Sequence, residues 1–237
     1  MSRKRDLSKR SRTKRSGSKR NRAAFLGGFL ALLAGLLLFW NTVWLYPLQL
    51  FVVFLHEISH ALMALATGGR VDAIVLDPRL GGACYCPGGN AFLTLSAGYL
   101  GSLLWGGLFL EVARKWGRHA VQVNSLIGGT TMVLTLLYFR SPFSVAFGLL
   151  AGVGFLLASR KLAPRGNAAL LTVVGVTSCL YAILDMKADI LDRPHLPSDA
   201  QMLAELTGVP TVVWGLVWMA LGTGVALWLF LRAWQRP

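Results

Sequence analysis

Charge is scarce in this chain, and acidic charge scarcest of all. Asp and Glu number 10 among 237 residues, and charged residues of both signs make up 14%. A soluble globule of this length carries more, usually about a quarter of its residues. Histidine occurs four times and Glu three times. Hydrophobic residues, by contrast, reach 54%, with 26 Gly besides. That is too apolar for a disordered chain, which cannot bury enough surface to fold. The composition is that of a membrane protein.

The 24 Lys and Arg give a formal net charge of +14, which taken alone suggests a nucleic-acid partner. Their distribution excludes it. Residues 1–22 hold 11 basic residues and one acid, Asp6, while the rest of the chain has 13 basic and 9 acidic residues. No aromatic residue interleaves the basic tail to stack on bases. The tail, 1–22, is expected to be disordered, to lie in the cytoplasm and to touch anionic lipid headgroups.

Residues 23–237 read as one transmembrane domain. Seven apolar runs lie at Ala23–Trp40, Pro47–Ala66, Ala91–Leu110, Ala120–Phe139, Pro142–Ser159, Ala168–Leu184 and Pro210–Leu231. Each is near the roughly 20 residues that cross a bilayer as a helix, and none alternates with the period of a barrel strand. The first run lacks a small-x-small cleavage site and reads as an uncleaved anchor. The fold class is therefore all-α and polytopic, a multi-pass protein of the cell membrane. Two topologies stay open. Seven full crossings leave Arg114, Lys115, Arg118, Arg160, Lys161 and Arg165 outside, against the positive-inside tendency, although a cytoplasmic tail and two full crossings put Ala66 inward. Six crossings, with one of the first three runs re-entrant, return most of those loops to the cytoplasm. The runs take up over half of the chain, so any chemistry must be done inside the bundle.

The second run carries His56-Glu57-Ile58-Ser59-His60. Two His at i and i+4 share a helical face and can grip one metal ion, with Glu57 beside them as a base that is not a ligand. Zinc lowers the pKa of a bound water to about 7, and a neighbouring carboxylate can take its proton and pass it to a leaving amine. Ionisable groups inside an apolar span are costly and by default functional or paired; the bland alternative is a polar cluster that glues helices. A hydrolytic zinc site needs a third protein ligand. His119 and His195 lie in polar connections. Cys84 and Cys86 are too closely spaced for a zinc knuckle, and Cys179 reads as a small apolar residue. Asp185, ending the sixth run, is the first candidate unless it simply faces water at a helix end; Asp189 follows one turn later.

These residues resemble the site-2 protease family of intramembrane zinc metallopeptidases, in its compact bacterial branch. The resemblance covers most of the chain after the tail. It rests on His56 through Leu62, then Thr67-Gly68-Gly69, Ala97-Gly98-Tyr99-Leu100-Gly101-Ser102, Leu184-Asp185 and Ser198-Asp199-Ala200. It implies that His56, His60 and a carboxylate from a later helix bind Zn2+, with Glu57 as catalytic acid/base. Asp185 matches the family's Leu-Asp element, although Met186 stands where many members have Gly. The implied activity is hydrolysis of peptide bonds in or beside the transmembrane helices of membrane-protein substrates.

Residues 68–90 read as a small β-hairpin after the metal-binding helix, with strand-like Val71–Asp77 and a turn at Asp77–Gly82. Either it is re-entrant, as the resemblance implies, or it lies at the surface. An exposed strand edge can take up an unwound substrate by β-addition. Gly98, Ser102 and Gly106 form a small-residue stripe expected to pack against the helix of His56 and His60, and the intramembrane amide Asn124 is expected to bond between helices. Ser198-x-x-Gln201 predicts the cap of a short helix ended by Gly208. Two other functions fit less of this pattern: a catalytically inactive protein of the same fold that binds transmembrane helices, and a zinc transporter, whose sites draw ligands from several spans.

Overall fold

The computed structural model describes residues 26–192 and 197–235. The basic tail expected over 1–22 lies outside the described residues, as do Arg193 and His195. Six helices are long and apolar enough to cross a membrane among the described residues. They are α2 (Tyr46–Ala66), α3 (Ala91–Lys115), α4 (Ala120–Tyr138), α5 (Pro142–Lys161), α6 (Pro164–Lys187) and α8 (Thr211–Gln235). Two shorter helices complete the set, α1 (Leu26–Leu38) and α7 (Asp199–Thr207).

The first apolar run, expected as a possible crossing, yields α1. Its 13 described residues span about 20 Å at 1.5 Å per residue; the start of the same run, 23–25, lies outside the described residues. The link after it turns back instead of continuing. Trp40 meets Tyr181 with ring centroids 6.2 Å apart, and Gln49 in the first turns of α2 donates to the Trp40 carbonyl at 2.9 Å.

Local chemistry sets the helix ends. Pro47 and Pro142 occupy first-turn positions, where no N–H is needed. Asn90 starts α3 by accepting from Leu93 N, and Ser141 starts α5 by accepting from Ser144 N. The predicted cap of α7 forms: Ser198 accepts from the Gln201 N–H at 3.3 Å, and Gly208 ends the helix with φ 72°. Between α2 and α3 the strands β1 (Ala73–Asp77) and β2 (Gly81–Tyr85) form the antiparallel hairpin, with Val75 opposite Ala83. The Tyr46 hydroxyl donates to Pro78 O at 2.8 Å, so the hairpin turn folds back along α2 toward its start. Tyr181 in α6 donates to Leu80 O at 3.1 Å.

α2 is the axis of the bundle. In its apolar stretch 72% of residues are buried, against 17% in α8. The outer helices turn Leu104, Leu126 and Leu150 outward, each at least two-thirds exposed, as lipid-facing side chains are. The small-residue stripe of α3 divides between two neighbours. Gly98 and Gly101 face His56, His60 and Ser59 on α2, whereas Gly106 faces Gly175 and Cys179 on α6, and Ser102 O accepts from Ser178 at 2.7 Å. A four-residue repeat drifts around a 3.6-residue helix, so its far end points elsewhere. Asn124 does bond between helices, donating to Asn167 Oδ1 at 2.8 Å.

The antiparallel alternation sorts the connections onto two ends. One end gathers the close of α3, the start of α4, the close of α5, the start of α6 and the close of α8. Arg114 there donates to the Arg232 carbonyl at 3.2 Å, and Glu111 pairs with Arg114 at 2.7 Å and Lys115 at 2.6 Å. The opposite end holds the base of the hairpin, the α4–α5 turn, the close of α6 and α7.

Candidate metal centre

α2 brings His56 and His60 to one face because they are one turn apart. Their ring centroids lie 4.8 Å apart at 72°. A carboxylate from a different element meets both. Asp199 Oδ2 lies 3.0 Å from His56 Nε2 and 3.1 Å from His60 Nε2. One ligand atom from each residue falls within 4.8 Å of the other two, and no other such group occurs among the described residues. His60 Nδ1 sits 2.7 Å from the Thr94 carbonyl. That contact assigns its N–H to Nδ1 and leaves Nε2 free to ligate, the usual arrangement for a metal-bound histidine.

The surroundings fit a metal ion. A Cβ added to Gly98 would stand 2.5 Å from His60 Nε2 and 2.6 Å from His56 Cε1, so the absence of a side chain keeps room in front of both rings. Two imidazoles and a carboxylate are a donor set for zinc, with a fourth position left for water or substrate. Burial alone would raise the Asp199 carboxyl. The charges and hydrogen bonds of His60 and His56 outweigh it and hold the carboxyl well below the usual carboxylate range. The ionised carboxylate is therefore the favoured form of Asp199.

Glu57 is buried beside this group, one residue along from His56. Gly82 on β2 packs against it so closely that a Cβ there would stand 2.8 Å from Glu57 Cγ and Cδ. His56, Glu57, His60 and Asp199 share a cavity of about 920 Å³ with β2 and Tyr99. The Tyr99 ring meets His56 edge-on at 5.3 Å, and its hydroxyl donates to buried Asp189. Ser59 accepts from Trp105 Nε1 at 3.1 Å, which ties α2 to α3.

The expected third ligand, Asp185, lines the same cavity but does not join the ligand atoms of His56 and His60; the carboxylate that does is Asp199. The next candidate, Asp189, is the acceptor for Tyr99. The Ser198-Asp199-Ala200 stretch carried part of the family resemblance, yet its place behind a capping Ser in a polar connection reads locally as a surface helix start. Nothing in the periodicity says that this connection folds back over α2. Cys84 and Cys86, set aside as zinc ligands, form a disulfide at the cavity wall. Cys179 is buried where α6 meets Gly106 of α3.

A family model described as Peptidase M50B-like matches residues 29–229. No curated protein and no solved structure matches the chain. The family match spans five of the six long helices in full and most of the sixth, and it contains His56, Glu57, His60 and Asp199. The chain is an integral membrane protein that belongs to the Peptidase M50B-like branch of the site-2 protease family.

Proposed function

We propose that the protein is a zinc endopeptidase that cleaves membrane-protein substrates in or beside their transmembrane helices. The observation that carries this reading is the convergence of His56, His60 and Asp199 next to buried Glu57, in a cavity within a membrane-spanning bundle. His56, His60 and Asp199 would hold the metal. When bound, zinc supplies Lewis-acid charge and an acidified water at neutral pH.

The remaining work falls to the chain. Glu57 takes a proton from the attacking water and returns it to the departing amide nitrogen. Thr94 keeps the His60 ring in the ligating tautomer through its carbonyl. β2 supports substrate binding: β1 is engaged on its far side by the bridge between Ile74 and Phe139, which leaves β2 with the open edge. β2 is mostly exposed and lines the cavity, and Gly82 brings it against Glu57. A helical substrate hides its peptide bonds in its own ladder, and pairing with this edge would hold an unwound segment extended beside the base.

The test is a cleavage assay on a membrane-embedded reporter, run with metal analysis of the purified protein. The expected result is about one zinc per chain and cleavage abolished by chelation, as a site of this donor set requires. Wild-type protein that binds zinc and leaves every reporter intact would instead support a catalytically inactive helix-binding protein of the same fold.

A further inference from the structure

We propose that Tyr99 and Asp189 act together as positioning residues that set the His56 ring for the metal; this deepens the metal-site reading above and rests on it. The two imidazoles of α2 are held in different ways. His60 is fixed through Nδ1 by the Thr94 carbonyl at 2.7 Å. His56 bonds to Asp199 through Nε2, the atom that faces the metal position, and among the described residues its Nδ1 has no hydrogen-bond partner. The last torsion of a histidine side chain is broad and roughly two-fold. With Nδ1 unheld, rotation about that torsion swings Nε2 away from His60 Nε2 and Asp199.

What meets His56 instead is a ring. Tyr99 on α3 stands edge-on to it, with centroids 5.3 Å apart at 84°, one of the arrangements that aromatic pairs prefer. Tyr99 is in turn held twice. Trp218 of α8 packs on its ring with centroids 5.0 Å apart, and its hydroxyl donates to Asp189. Tyr99 is 1% exposed and Asp189 is buried as well, so little water competes for that bond.

Asp189 reaches this place from an unusual turn. Ala188–Asp192 continues α6 as a π-helical turn, a rare geometry often found at functional sites. Ile190 on the same turn packs so closely on Gly215 of α8 that a Cβ there has no room, and Met186 just before it is buried. The acceptor for Tyr99 is thus mounted on a packed element and not on a loose connection. A carboxylate that the sequence offers as a metal ligand acquires a different role: Asp189 acts on the metal through Tyr99 and His56. Groups that orient metal ligands from behind typically cost about 10- to 100-fold in metal affinity when removed. A bond that merely joined α3 to the end of α6 would leave the metal unaffected.

The test compares full-length variants in detergent by two readouts. Competition with a chromogenic chelator gives zinc affinity, and the visible spectrum of the cobalt(II)-loaded protein reports ligand geometry. Tyr99→Leu removes the ring from His56 and is expected to weaken zinc about 10- to 100-fold and to shift the cobalt bands. Tyr99→Phe keeps the ring and loses only the hydroxyl; it is expected to weaken zinc about tenfold, with a spectral shift in the same direction. Asp189→Asn keeps an oxygen that accepts from Tyr99 and should retain wild-type affinity and spectrum. Folded Tyr99→Phe protein with wild-type zinc affinity and cobalt spectrum overturns the proposal, and that variant decides even where Tyr99→Leu does not fold. Loss of zinc in Asp189→Asn also overturns it, because the charge of Asp189 and not its hydrogen bond would then act on the metal. Wild-type protein that binds neither zinc nor cobalt overturns the metal-site reading itself, and this proposal with it.

Discussion

The α2–α3 contact and the α4–α5 pair use the same device for different ends. In α4–α5, Gly128 and Gly152 oppose each other: a Cβ on Gly128 would stand 2.7 Å from Gly152 O, and one on Gly152 would stand 2.9 Å from Gly128 O. Missing side chains there let two backbones approach, which is how helices associate in lipid. In α2–α3, Gly98 faces the ring nitrogens of His56 and His60. The missing side chain leaves room for a ligand. A glycine in a membrane helix thus takes its meaning from the atoms opposite it, and a glycine repeat by itself does not distinguish packing from a site.

That contrast can be broken by substitution. The largest effect is expected at the base: Glu57→Gln should keep the metal and lower cleavage of a membrane reporter about 10²- to 10⁴-fold. Full retained cleavage would exclude Glu57 as the acid/base. Next come the two carboxylates on the cavity. Asp199→Asn should weaken zinc affinity at least about a hundredfold, whereas Asp185→Asn should leave zinc stoichiometric; competition with a chromogenic chelator measures both. If Asp185→Asn loses metal and Asp199→Asn keeps it, the ligand set is the one the family's Leu-Asp element implies.

The two glycines follow. Gly98→Ala should cost about tenfold or more in zinc affinity, because a methyl group enters the space in front of two ligand atoms. Gly128→Ala should bind zinc normally and lose about 1–3 kcal/mol of stability in denaturant titration, from forcing two backbones apart. Equal metal loss in both would erase the distinction between the two interfaces. The smallest effect is expected from Asn124→Ala, which removes the interhelical hydrogen bonds to Asn167 and should cost about 0.6–1.7 kcal/mol with zinc affinity unchanged.

How far the sequence is legible depends on the range of the signal. The long helices are written in runs of apolar residues, and six of the seven runs form helices long enough to cross a membrane among the described residues. The described part of the first run supplies 13 helical residues before the chain turns, and its start, 23–25, lies outside the described residues. His56, Glu57 and His60 are legible because their relation is local, fixed by one turn of helix. Asp199 is not, since 139 residues separate it from His60 and its neighbours describe a capped surface helix equally well.

By itself the sequence determined a helical membrane protein with two imidazoles and a carboxylate on adjacent turns of one span. Composition, apolar run length and i, i+4 spacing are enough for that, because each acts within a single segment. Tertiary structure alone decided that α7 delivers the third donor, that Gly82 of the hairpin lies against Glu57, and that the basic connections gather at the end remote from the site. Those outcomes depend on which helices pack together and in which direction each runs, and no local pattern encodes contacts between segments so far apart in the chain.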